Sequence, residues 1–370
     1  MSEVAEDELR AAVRQLAGEA RAVPDLAGPA LRRGRRLRGR RRAATAAVAL
    51  FAVAALTGPY LWLRATAPSP IGAPEPAPPT PTAPVPVRPT PAGDWRAAPL
   101  SLPGGWVVTA VLGQREFQTG DVLDRSRNRY VSAVQYDQFW PSPTGTVTAV
   151  GDEARPQQTG LIDMATGRTR WFRTGRPIMT PQWSPDGRRL VLTITDKDEG
   201  GMHFGVLNVG GDFRIFPVDT DRYFCTDYCF FTWIRGGREV VLQQTDPGAP
   251  RSESVRHARR GVQLFSADDG RPTRFLAMPG DPAGPWSWSP DGGLVVVRGQ
   301  TGPLLVEVGT GRVVRALPSE DAVWVSADLL LYRRSAGDRD FVLADPAGRE
   351  LERQPLPTEL VDREIVIAPR

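Results

Sequence analysis

Lysine is nearly missing from this chain: of 46 basic residues only Lys197 is a lysine, and the rest are arginine. That bias reads as the mark of a GC-rich genome rather than of a function. Histidine and cysteine are as scarce, with two of each in 370 residues. Two cysteines exclude a disulfide-dense scaffold and a four-thiolate zinc centre. His203 and His257 stand in no spacing that marks a catalytic triad or a metal cage, so both are expected to be structural or solvated. No metal and no cofactor is expected. A uniform charge is lacking too. Residues 1–42 hold 11 Arg against 6 acids, whereas residues 64–370 hold 35 bases against 36 acids. Affinity for a phosphate backbone needs concentrated positive charge, so no nucleic-acid partner is expected for the larger part.

Residues 43–63, AATAAVALFAVAALTGPYLWL, carry no charge at all. As a helix they extend about 31 Å, the thickness of a bilayer core, so they are expected to span a membrane once. Eight arginines lie between Arg32 and Arg42, while Arg64 is the only base on the other flank until Arg88. The positive-inside rule then leaves residues 1–42 in the cytoplasm and residues 64–370 outside. The competing reading is a cleaved export signal, since twin arginines precede the run and Ala65-Thr66-Ala67 has the small-x-small form. A 42-residue leader, a bulky Tyr-Leu-Trp-Leu end and Pro68 after the candidate site count against it.

Within the inner arm, Leu9, Val13, Leu16 and Ala20 fall at helical spacing, with Glu3, Glu6, Asp7 and Glu8 in the first turn. An inner segment, one span and an outer domain resemble the architecture of membrane-bound anti-sigma regulators. That resemblance implies a cytoplasmic protein partner at residues 1–31. Residues 1–42 hold no His or Cys, so the zinc motif of many such regulators is absent. The plainer reading is an arm lying on anionic headgroups through its arginines. Residues 64–94 form a stalk: positions 67–92 hold 11 prolines, a composition that favours extended polyproline II over any buried core.

Residues 95–370 repeat themselves. PQWSPDGRRLVLTI at 181–194 and WSWSPDGGLVVVRG at 286–299 are close copies, and weaker ones begin at 139, 231 and 322. Their tryptophans, Trp140, Trp183, Trp233, Trp288 and Trp324, are read as packing between repeats rather than as a sugar platform. Each copy parses as a strand ending at the Trp, a tight turn, an alternating strand, and two more strands. Four antiparallel strands per 40 to 50 residues describe a propeller blade, and the 276 residues of 95–370 divide into six; five or seven also fit. The expected fold is therefore all-β, a six-bladed β-propeller behind one transmembrane helix and a Pro-rich stalk. The first blade has three strands before Val134, and the spare strand DREIVIAP at 362–369 is expected to pair with it and close the ring.

Trp-Ser-Pro-Asp-Gly followed by an apolar strand resembles the repeats of TolB-like β-propellers, relatives of the WD-repeat propellers. The resemblance covers roughly residues 100–357. It implies a protein-binding platform, a ligand sensor or the cover of a peptidase, and no Gly-x-Ser-x-Gly elbow is present for the last.

Chain direction puts the loops between second and third strands on one face with the blade-to-blade connections. Candidate ligand residues there are Asp196, Asp198, Glu199, Arg222, Tyr223, Tyr228, Arg256 and His257. Cys225 and Cys229 on that face are expected to form a disulfide outside the cell. The Asp196-x-Asp198-x-Gly200 stretch lacks the remaining ligands of a calcium loop and reads as a charged hairpin. With no nucleophile, base or metal motif, the expected function is a non-enzymatic, membrane-tethered propeller that binds a protein, glycan or small ligand outside the cell. The alternative is a transmembrane signal transducer whose propeller senses an outside ligand.

Overall fold

The structure is a computed structural model and describes residues 84–90, 93–113, 120–133, 136–175, 178–195, 201–227, 229–251, 255–334 and 338–370. The chain divides into two compact units, Met1–Pro81 and Thr82–Arg370. The expected arm, the transmembrane helix at 43–63 and most of the stalk lie outside the described residues. Among the described residues no helix is long and apolar enough to cross a membrane.

The second unit is six four-stranded antiparallel blades, the first with a short extra strand. Blade one has β1 (Ser101–Leu102), β2 (Trp106–Leu112), β3 (Asp121–Asp124) and β4 (Arg129–Ser132). Blade two has β5 (Gln138–Pro141), β6 (Val147–Gly151), β7 (Gln158–Asp163) and β8 (Thr169–Arg173). Blade three has β9 (Ile178–Trp183), β10 (Arg189–Thr195), β11 (Met202–Asn208) and β12 (Phe213–Val218). Blade four has β13 (Thr232–Trp233), β14 (Glu239–Thr245), β15 (Arg259–Ser266) and β16 (Pro272–Leu276). Blade five has β17 (Gly280–Pro282), β18 (Leu294–Gly299), β19 (Pro303–Glu307) and β20 (Val313–Ala316). Blade six has β21 (Val323–Ser326), β22 (Leu329–Tyr332), β23 (Asp340–Ala344) and β24 (Glu350–Pro355). The last strand, β25 (Glu364–Pro369), pairs with β2 from Trp106↔Pro369 to Leu112↔Glu364 and becomes the innermost strand of blade one. The expected ring closure is therefore present, and it covers two edges that would otherwise be open.

The two strong repeats fold alike for a local reason. Ser184 Oγ bonds Asp186 Oδ1 at 2.5 Å and accepts from Arg189 N at 2.9 Å; Ser289 Oγ bonds Asp291 Oδ1 at 2.6 Å and accepts from Leu294 N at 2.9 Å. Gly187 and Gly292 take φ of 66° and 73°, which a side chain would disfavour. The turn is thus closed by its own side chains before any tertiary contact.

Apolar residues on alternating strand faces meet those of the next blade. Six core clusters result, each shared by two consecutive blades, including one that joins blade six to blade one through Leu331, Phe341, Leu343, Trp106 and Val107. The repeated tryptophans sit in these seams as expected. Trp183 donates its indole N–H to Trp140 O at 2.8 Å, and Trp233 donates to Gln182 O at 2.9 Å, each reaching the preceding blade.

Two features differ from the sequence reading. The innermost strand of blade five does not run unbroken into Trp288: β17 ends at Pro282, a single turn of 3-10 helix covers Pro285–Ser287, and Trp288 rejoins the sheet by one bridge to Val295. Gly284 and Pro285 explain the break, because proline has no N–H for a ladder. The end of the stalk is not free either. Val87 bridges Arg353 in parallel, with Arg88 N donating to Arg353 O at 2.8 Å and Arg353 N to Pro86 O at 2.9 Å, and Arg88 pairs with Glu352. The outer edge of β24 is thereby capped by this chain's own residues.

Candidate functional site

In each blade the turns between first and second, and third and fourth, strands lie on one face, the turn face. The second-to-third loops and the blade-to-blade connections lie on the other, the loop face. Between them runs a central cavity of about 1080 Å³. Its walls differ by sector. Blades two and three contribute Phe139, Trp140, Pro141, Pro143, Thr180, Pro181 and Gln182, without a charge. Blades five, six and the closing strand contribute four arginines, Arg298, Arg333, Arg334 and Arg363, and four acids, Glu320, Asp321, Asp362 and Glu364. All eight lie on the loop face, because they end second strands or precede first strands.

Most of these charges are already engaged. Arg298 donates to Asp321 Oδ1 at 2.6 Å and lies 3.6 Å from Glu320. Arg333 donates to Arg363 O at 3.3 Å and Val361 O at 3.4 Å, and Arg334 pairs with Glu350. Burial holds the Arg333 guanidinium below its ordinary value, against the raising effect of Asp338, Asp321 and Asp362. Glu364 opens toward the channel yet is enclosed by its walls. That enclosure, with the negative charge of Asp321, pushes its carboxyl above the ordinary value, while Arg298 acts in the other direction.

At the turn-face end stands Trp286, carried into the channel by the 3-10 turn that breaks blade five. Its ring meets Trp106 edge-on at 5.5 Å between centroids, and the Arg235 guanidinium lies 5.1 Å from it. Arg235 occupies the place that proline holds in Trp-Ser-Pro-Asp-Gly. From there it donates to Trp288 O at 3.2 Å and Trp324 O at 3.1 Å, tying blade four to blades five and six.

Of the expected ligand residues, Arg222, Tyr223, Arg256 and His257 are described and lie elsewhere on the loop face. Asp196, Asp198, Glu199 and Tyr228 lie outside the described residues. Tyr223 is 8% exposed and packs edge-on against Phe265, so it is a core ring, with Arg222 stacked over it at 5.2 Å. Arg256 and His257 each hold a loop contact. Arg256 donates to Asp281 Oδ2 at 2.9 Å, and His257 Nδ1 lies 2.8 Å from Thr226 Oγ1.

The centre of that network is Arg259, whose side chain and that of Asp281 are each 1% exposed. Arg259 gives Asp281 two bonds, of 2.7 and 3.1 Å, and further bonds to Thr226 O, Asp227 O and Thr245 Oγ1. Thr226 and Asp227 lie inside the ring closed by the Cys225–Cys229 disulfide, which is formed. None of the described residues expected to bind ligand lines the central cavity. The lining residues at 320–321 and 362–364 were open to a sequence reading only by asking which residues begin an innermost strand.

No known protein family matches the chain, and no curated protein sequence matches it. The chain is similar in fold to TolB from Acinetobacter baumannii, at 16% identity and a TM-score of 0.45, over 72% of this chain and 67% of that one. It is also similar to the β-propeller domain of the Trilobed protease from Pyrococcus furiosus, at 14% identity and a TM-score of 0.42, over 70% and 83% of the two chains. A putative TolB from Agrobacterium tumefaciens matches at 14% identity and a TM-score of 0.39, over 70% of this chain and 96% of that one.

Proposed function

We propose that the protein is a non-enzymatic binding propeller, tethered to a membrane by residues 43–63 and working on the outer side. The observation that carries the binding reading is the channel: a cavity of about 1080 Å³ whose charged wall, at the loop face, stands opposite an uncharged one. Its lining offers arginines, carboxylates, hydroxyls, the Gln182 amide and aromatic rings, groups suited to hydrogen-bonded and apolar recognition. The tether rests on the 21 uncharged residues and the arginine cluster before them. A formed disulfide agrees with an oxidising side.

The tether is tested on intact cells carrying the full chain with a tag on Met1. Added protease is expected to digest the C-terminal bulk and spare the tag, and the full-length chain is expected to stay with membranes after a high-salt wash. Recovery of a mature chain beginning near Pro68, or loss of the tag with the bulk intact, overturns that reading.

A further inference from the structure

We propose that the channel takes a neutral carbohydrate chain, entered from the loop face; this rests on the binding reading above and adds the class of ligand. Three observations carry it. The first is charge. The mouth holds four arginines and four carboxylates, so the two signs balance in number, and a charged ligand would have to break pairs such as Arg298–Asp321. A hydroxyl group has no such cost. It can donate to a carboxylate and accept from a guanidinium while both stay paired.

The second is the division of the walls. A sugar ring has an apolar face of C–H groups and a belt of hydroxyls at its edge. The uncharged sector, where Trp140, Pro143, Thr180 and Gln182 keep part of their surface open to the channel, suits the face, and the mixed-charge sector across the channel suits the belt. Trp286 offers a partly buried indole ring at the far end.

The third weighs against an extended peptide. A peptide entering a propeller channel gains most from backbone pairing with the free edges of innermost strands. Here four of the six innermost strands contain a proline, Pro141 in β5, Pro181 in β9, Pro282 in β17 and Pro369 in β25. Proline has no N–H to offer on the channel side. Recognition therefore falls to side chains.

The test uses the full-length chain in lipid nanodiscs and follows hydrogen exchange of residues 319–323 and 361–369. The probes are maltohexaose, cellohexaose, chitohexaose, hexagalacturonate, and a water-soluble cell-envelope extract treated with protease or with periodate. Protection by a neutral hexaose, or by the extract in a form that survives protease and is lost after periodate, is the expected result. Asp321→Asn, at an exposed position, is expected to weaken it about tenfold, and Trp286→Ala to do the same if it folds. Protection that protease abolishes and periodate spares, or by hexagalacturonate alone, overturns the carbohydrate assignment while leaving a binding channel. Protection by none of the probes overturns the channel as a binding site altogether.

Discussion

At the scale of single residues, arginine turns out to be more than a compositional bias. Every seam between blades is crossed by a guanidinium that donates to a carbonyl beyond its own blade. Arg125 reaches Pro143 O at 2.8 Å, Arg170 reaches Val209 O, Arg189 reaches Gly237 O, Arg235 reaches Trp288 O and Trp324 O, and Arg315 reaches Pro346 O at 3.3 Å. Arg333 holds the segment that leads into the closing strand. A planar fork with five donors can serve two carbonyls at once, which an ammonium on a flexible stem does less well. Arg235→Lys is therefore expected to lose about 1–2 kcal/mol of stability in urea unfolding, because one of two buried carbonyls is left without its donor. An unchanged midpoint would show that the fork is dispensable.

Tyr130 supplies a second residue-level expectation. Its hydroxyl donates to Val108 O at 2.7 Å and accepts from Leu100 N at 3.1 Å, and burial pushes it from 10.0 up to about 12. A group whose folded value is raised stabilises fully below its unfolded value and loses that contribution as pH rises toward the folded one. Stability is thus expected to fall between pH 10 and 12 in the wild type. Tyr130→Phe is less stable at neutral pH but falls less steeply over that window, as denaturant midpoints at several pH values would reveal.

At the scale of elements, the closing strand and the disulfide loop differ in what they hold. β25 carries six residues of ladder to β2 and lines the channel with Ile365, Val366 and Ile367. Deleting residues 364–370 opens the inner edge of β2 and removes Ala368 and its neighbours from the seam, so a marked fall in the thermal midpoint and a tendency to associate are expected. A midpoint within a degree or two of wild type would mean that closure contributes little.

The Cys225–Cys229 ring closes so short a loop that it stabilises by about 2 kcal/mol on the chain-entropy account. It also keeps Thr226 O and Asp227 O against the buried Arg259. Asp281→Ala is expected to cost more, about 3–5 kcal/mol, because it leaves that guanidinium buried without a counter-charge. Chemical denaturation of the two variants side by side checks the order. Most of the strands themselves were legible in sequence. In the third blade β9 ends at Trp183, β10 follows the Ser-Pro-Asp-Gly turn, and β11 and β12 complete the four strands expected of a repeat. The β17 break was not, since a proline and a glycine before a tryptophan read the same way in a turn as at a strand end.

At the scale of the whole molecule, no blade owns a core. Each of the six apolar clusters is shared across a seam, so removing one blade strips its two neighbours of half their burial. The propeller is accordingly expected to unfold in one transition, with tryptophan fluorescence and far-ultraviolet circular dichroism coincident in urea. Two separated transitions would mean that some seams are independent.

The sequence by itself determined what short-range chemistry can determine. Period-two alternation with Trp-Ser-Pro-Asp-Gly turns sets strand order within a repeat, which depends on near neighbours in the chain, and marks a spare last strand; the count of six blades and the pairing of β25 with β2, from opposite ends of the domain, are fixed by the closed ring. Only the tertiary structure decided which polar groups line the channel. The channel mouth gathers Arg298, Asp321, Arg333 and Glu364 from three parts of the chain up to 66 residues apart, and the same folding packed Tyr223 into a core cluster and paired Arg256 with Asp281 and His257 with Thr226. Loop composition marks which residues are polar. Which of those polar groups spend their bonds within the protein is set by contacts between distant blades, and a one-dimensional pattern does not carry that information.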